Sequence, residues 1–159
     1  MSVPVPSADP GVLVLGWREP VSLPEWGITS LKTKVDTGAR TSALHVARIS
    51  PLARGRVRFE VIARARLVEG RRRIRRVPVE AEVHRVALVR SSTGRIQRRL
   101  VVRTRALIGP VERVIEVSLV CRRNMRCRLL LGRTALAGFV VDPTRRRVLG
   151  RAGAGRAHP

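Results

Sequence analysis

Tyrosine is absent from this 159-residue chain, and phenylalanine and tryptophan occur only twice each. Proteins that bind single-stranded nucleic acid stack bases on such rings, so that mode of recognition has little to work with. Duplex binding through phosphates alone stays open. Cysteine is equally scarce. Cys121 and Cys127 are too few for a disulfide framework, and their spacing matches no common metal knuckle. They read as reduced, buried apolar thiols in a cytoplasmic protein. No apolar run is long enough to cross a bilayer, so no membrane partner is expected. Residues 1–10 lack the basic and apolar regions of a signal peptide.

Aliphatic residues and arginine dominate what is present. Hydrophobic residues make up 44% of the chain and aromatics only 3%, so Val, Leu, Ile and Ala must build the core. The formal charge is +22, and since only Lys32 and Lys34 among the 33 basic residues are lysines, 31 are arginines. Such a field draws in polyanions and speeds their encounter. Nucleic acid, an anionic surface and an acidic peptide all fit it. Codon bias, with arginine replacing lysine over a solvated surface, accounts for the surplus equally well.

Residues 1–10, with three prolines, read as a flexible arm, and residues 151–159 as a disordered tail. Residues 11–150 then form one domain. Its dominant period is two. Val57, Phe59, Val61, Ala63 and Ala65 alternate with mostly polar residues, as in a half-buried strand. The alternation resumes at Val77, Val79, Ala81 and Val83, at Leu100, Val102 and Thr104, and at Val111, Arg113, Ile115, Val117 and Leu119. Val86 to Arg90 reads as a separate strand. Glu69-Gly70, Ser91 to Gly94 and Gly109-Pro110 supply turns. Many short strands with turns between them predict a mostly β fold, a barrel or a sandwich. Thr134 to Ala137 is the one short helix expected. The basic run from Arg71 to Arg76 follows a turn and suits a protruding hairpin.

The chemistry points to one aspartate. Asp9 lies in the proline-rich arm, and Asp142 precedes Pro143 and suits a turn. Asp36 instead follows a strand-like stretch, Ile28 to Val35, and precedes Thr37-Gly38. An aspartic peptidase needs two carboxylates close enough to share one proton, because both cannot ionise at that separation. The ionised one activates a water and the protonated one polarises the scissile carbonyl. Thr37 can support such a loop through its hydroxyl, and Gly38 can turn tightly and bring an N–H to the carboxylate. A bare Asp-Thr-Gly is more often an ordinary β-turn.

Its surroundings alter that balance. The stretch from Lys34 to His45, the block Leu129-Leu130-Leu131-Gly132-Arg133-Thr134-Ala135-Leu136, and the segment Val89 to Gly94 followed by Leu100 to Thr104 together resemble a bacterial and archaeal family of retropepsin-like peptidases. The resemblance spans roughly residues 13 to 149 and implies the closed β-barrel of acid proteases. It places Asp36, Thr37 and Gly38 in the catalytic loop, with the apolar-apolar-Gly block packed beside it. Relatives resemble a trimming enzyme that acts beside a glutamate ligase and removes poly-α-glutamate from the C-terminus of a ribosomal protein. The implied partner is therefore an acidic peptide or protein tail.

The family has also carried the label of an ATP-dependent zinc protease. No His-Glu-x-x-His motif exists, and His45, His84 and His158 lie far apart and suit structural or exposed positions. No phosphate-binding loop ending in Gly-Lys-Ser/Thr exists either. The expectation is a peptidase with neither metal nor cofactor. One chain supplies one such aspartate, so a homodimer with Asp36 of each copy at the two-fold axis is expected, its two carboxylates titrating as a unit. Lys34, Arg40 and Arg133 flank the motif blocks and are the first candidates to hold substrate carboxylates. Ser91, Ser92, Thr93 and Gly94 are candidates for the tip of a flap closing over substrate. The chain departs from the family in its Arg-rich stretch from Arg64 to Arg76 and in lacking an acidic residue within Cys121 to Met125. A non-catalytic basic module that holds nucleic acid or an acidic protein is the alternative function.

Overall fold

The computed structural model describes residues 11–121 and 126–150, and their side chains except those of 64–68, 72 and 73. The arm 1–10, the tail 151–159 and the stretch 122–125 singled out by sequence lie outside the described residues.

The chain is mostly β. Its strands are β1 (Leu13–Gly16), β2 (Arg18–Leu23), β3 (Ile28–Val35), β4 (Ser42–Leu52), β5 (Arg56–Val68), β6 (Arg71–Arg90), β7 (Ile96–Ile108), β8 (Val111–Val120), β9 (Leu129–Leu131) and β10 (Phe139–Asp142). Three antiparallel hairpins, β5–β6, β6–β7 and β7–β8, follow from the turns at 69–70, 91–94 and 109–110. Gly70, Gly94 and Gly109 occupy these turns with φ of 70°, 82° and 57°, where a side chain is strained.

Non-local pairings join the hairpins. Strand β9 lies parallel to β3 and antiparallel to β4, β4 runs parallel to β8, and β7 returns to β2. The hydrogen-bonded order β2-β3-β9-β4-β8-β7 therefore comes back to β2. Strands β5 and β6 extend the sheet beyond this ring, between the far half of β4 and the near half of β7. A separate parallel pair, β1 with β10, joins the two ends of the described chain.

The inward positions are aliphatic, as composition demands. Leu15, Leu23, Leu44, Val57, Val61 and Leu129 are fully buried. Phe59 is the one large ring at the centre, with Trp26 edge-on to it at 5.5 Å.

Three readings need correction. The alternations around Val77 to Val83 and Val86 to Arg90 belong to one continuous strand, β6. Its first part, through Glu82, pairs with β5 and its second, from Val83, with β7; a register shift between Val83 and Arg85 within the β7 pairing breaks the phase and mimics a strand end. The helix expected over Thr134 to Ala137 is instead a 3-10 turn at Arg133–Ala135, and a second such turn covers Pro24–Trp26. Only i to i+3 bonds form there, from Ala135 N–H to the Gly132 carbonyl and from Leu136 N–H to the Arg133 carbonyl. Gly138, at φ 81°, then turns the chain before an α-helical turn can develop. Arg113 fastens the turn, its Nη1 donating to the carbonyls of Ala135 and Ala137 at 3.0 and 2.8 Å. Finally, Cys127 is buried but Cys121 is exposed, because it lies just past the end of β8.

Candidate active site

Asp36 sits just past the end of β3, beside the end of β9. Its N–H donates to the Leu131 carbonyl at 2.9 Å, continuing the β3–β9 ladder by one bond. Its Oδ1 accepts the Gly38 N–H at 2.9 Å, which turns the chain and aims the carboxylate. The side chain is half-buried.

Glycine at position 38 serves closeness rather than backbone conformation. Its φ is not in the left-handed region, but a Cβ there would stand 3.2 Å from Asp36 Oδ1. Gly132 meets a stricter version of the same demand. A Cβ on it would come within 2.6 Å of the Thr41 carbonyl carbon and 2.9 Å of the Arg40 carbonyl carbon, atoms of the backbone that cannot swing aside. This contact lets β9 press against the loop, and the Ser42 hydroxyl accepts the Gly132 N–H at 3.1 Å.

Arg133 binds the loop from below. Its N–H donates to the Ala39 carbonyl at 2.7 Å, and its Nη1 donates to the carbonyls of Thr37 and Gly38 at 3.2 and 3.0 Å. Its guanidinium thus supports the Asp36 loop directly. Thr37 is exposed, and its hydroxyl makes no hydrogen bond among the described residues.

Asp36 opens on a cavity of about 380 Å³ walled by Ala43, Val120 and Leu130 on one side and by Ala87 and Val89 of β6 on the other. Arg40, Arg99 and Ser118 add the polar part of its lining. A neighbouring cavity of about 910 Å³ shares Arg40, Thr41, Ala87 and Val89 and continues to Arg85, Arg103 and Glu116. Burial pushes the Glu116 pKa up, but the hydrogen bond from Arg85 and the charges of Arg85, His84 and Arg103 outweigh it and hold the carboxyl below its ordinary range. Arg85 and Arg103 reach it at 3.1 and 3.5 Å, so both cations are already committed.

Of the residues picked out by sequence, the fold gathers Asp36, Gly38, Arg40 and Arg133 at one place. Lys34 is exposed on β3 and lines neither cavity. The turn residues Ser91 to Gly94 also line neither. They form a tight turn, with the Ser91 N–H donating to the Arg95 carbonyl at 2.8 Å, and it is the stem of that hairpin that faces Asp36. Asp142 accepts the N–H and hydroxyl of Thr144 at 2.9 and 2.6 Å, in the turn expected of it.

Sequence reasoning missed two residues. Arg99 is one arginine among many, and only its register opposite Ala87 brings it to the cavity. Glu19 is 1% exposed, its Oε1 accepting the N–H groups of Gly16 and Val148 at 2.7 and 2.8 Å. No sequence signal distinguishes it from a surface glutamate. Among the described residues, no group of three or more His, Cys, Asp or Glu side chains is placed to hold a metal ion.

Known proteins resemble this arrangement. A crystal structure of a protein of unknown function from Legionella pneumophila superposes with a TM-score of 0.67 at 24% identity, covering 86% of this chain and 98% of that one. A protein of Parasynechococcus marenigrum named "Probable alpha-L-glutamate ligase" is 37% identical over 137 residues, and one of the same name from Shewanella halifaxensis is 31% identical over 138. These matches cover 82% and 86% of this chain but only 28% and 30% of those proteins, so the chain spans less than a third of their length. The family described as retropepsin-like aspartic endopeptidase RimB matches residues 14–152, and the chain belongs to this RimB-like family.

Proposed function

We propose that the chain is an aspartic endopeptidase acting as a homodimer on acidic tails. The observation that carries this reading is the loop itself. Asp36 is held by Leu131 and Gly38, is supported by Arg133, and opens on a cavity where it is the single acidic residue of the lining among the described residues. The second carboxylate comes, on this reading, from a second copy, since Asp142 is engaged in its own turn and lines neither cavity. On this reading the pairing ring β2-β3-β9-β4-β8-β7 is the closed barrel of the retropepsin type. The exposed Thr37 hydroxyl is free to meet the partner's loop.

In such a dimer one Asp36 carboxylate takes a proton from water as the oxygen adds to the scissile carbonyl carbon. The other Asp36 gives its proton to the carbonyl oxygen. Collapse of the diol breaks the C–N bond as the leaving nitrogen takes up a proton.

The substrate class rests on charge and kinship. A net charge of +22 favours an acidic chain, and relatives named for glutamate ligation contain a segment like this one. Trimming of poly-α-glutamate, such as a tail added to a ribosomal protein, fits both. The same charge favours a second reading, a basic module that binds nucleic acid or an acidic protein without cleaving it. Mass spectrometry of a poly-glutamate-tailed protein, incubated with wild type and with Asp36→Asn, separates the two. Tail shortening by wild type alone supports the peptidase. Tight binding by both with no shortening by either supports the module.

A further inference from the structure

Strand β7 faces two ways. Val102, Thr104, Ala106 and Ile108 turn one face into the core. Gln97, Arg99 and Val101 share the opposite face, because side chains alternate along a strand. Arg99 pairs directly with Ala87 of β6, and residues opposite each other in an antiparallel pair project to the same side. Both line the cavity that holds Asp36.

The rest of that cavity is largely apolar, so a guanidinium there is screened less than one on the open surface. Among the described residues, Arg40 and Arg99 are the two cations of its lining and Asp36 its one acid. Arg40 is exposed, whereas Arg99 is half-buried. A planar guanidinium offers two parallel donors that match a carboxylate.

We infer that Arg99 is the specificity residue of the cleft, binding the side-chain carboxylate of a substrate glutamate or aspartate next to the scissile bond. This rests on the peptidase reading above. It assigns selection to the stem of the β6–β7 hairpin rather than to its tip or to Lys34. Binding of that kind is the same in ground and transition states, so its loss raises KM and leaves kcat unchanged.

The test uses the full chain and two peptides, one acidic and one with glutamine replacing glutamate, with Asp36→Asn as the blank. Arg99→Gln is expected to raise KM for the acidic peptide roughly tenfold to a hundredfold, with kcat and the KM for the glutamine peptide nearly unchanged. Arg99→Lys should recover part of the discrimination, and the acid limb of the kcat–pH profile should not move. Equal losses on both peptides in Arg99→Gln and Arg99→Lys would mark a structural role and overturn the inference. So would a shifted acid limb with the glutamate preference intact, since Arg99 would then be acting on Asp36. Wild type matching the Asp36→Asn blank on both peptides would instead sink the peptidase reading itself.

Discussion

At the scale of single residues, the loop around Asp36 is shaped by contacts too close to tolerate a methyl group. Gly132→Ala should cost about 1–3 kcal/mol or more, because its Cβ meets backbone of Thr41 and Arg40. Urea unfolding of the variant reads this directly. Asp36→Asn should leave the urea midpoint near wild type and lower turnover about a hundredfold or more, measured on the acidic tail. His45 gives a pH prediction. Burial, then the nearby Arg128 charge, lowers its pKa below the ordinary 6.5, against an opposing hydrogen bond at Val120. Below 6.5 the unfolded chain takes up a proton that the folded chain resists. Stability should therefore fall as the pH drops from about 6.5 toward the lowered folded value, and level off beneath it. Comparing urea midpoints at about pH 7 and about pH 5 checks this, and His45→Gln should remove part of the difference.

At the scale of elements, the β6–β7 hairpin has two structurally distinct faces. Ala87 and Val89 look into the cavity, whereas Ile96, at 63% exposed, looks away from it. Ala87→Trp should fill the space beside Asp36 and lower kcat/KM roughly tenfold or more, while Ile96→Ser should leave it unchanged. Steady-state kinetics on one peptide decides between them. How legible such features were in sequence depended on their range. The β3 span Ile28–Val35 and the inward set Val57, Phe59 and Val61 follow from local alternation, and the structure places them as expected. The parallel pairings of β3 with β9 and β4 with β8 join residues far apart in the chain, and no local period encodes a partner. Arg99 illustrates a middle case. Alternation puts Leu100, Val102 and Thr104 on one side and says nothing of the face holding Arg99, yet Val101 on that face is fully buried. The charge of Arg99 hid a second packed layer.

At the scale of the whole molecule, the proposed mechanism needs two Asp36 carboxylates and so makes activity a property of the pair. Specific activity should rise with enzyme concentration until the dimer saturates, and sedimentation should show the same midpoint. Added salt should raise KM for an acidic substrate, because a field built on +22 charges is screened within about 10 Å at 0.1 M salt. The order in which the molecule is completed carries a further consequence. The Asp36 loop has no mould until β9, Gly132 and Arg133 arrive, nearly a hundred residues later, and Glu19 closes its latch only on the N–H groups of Val148 and Leu149. On the peptidase reading, a chain emerging from the ribosome therefore carries its aspartate well before the segment that supports it, and products truncated before Arg133 should be silent.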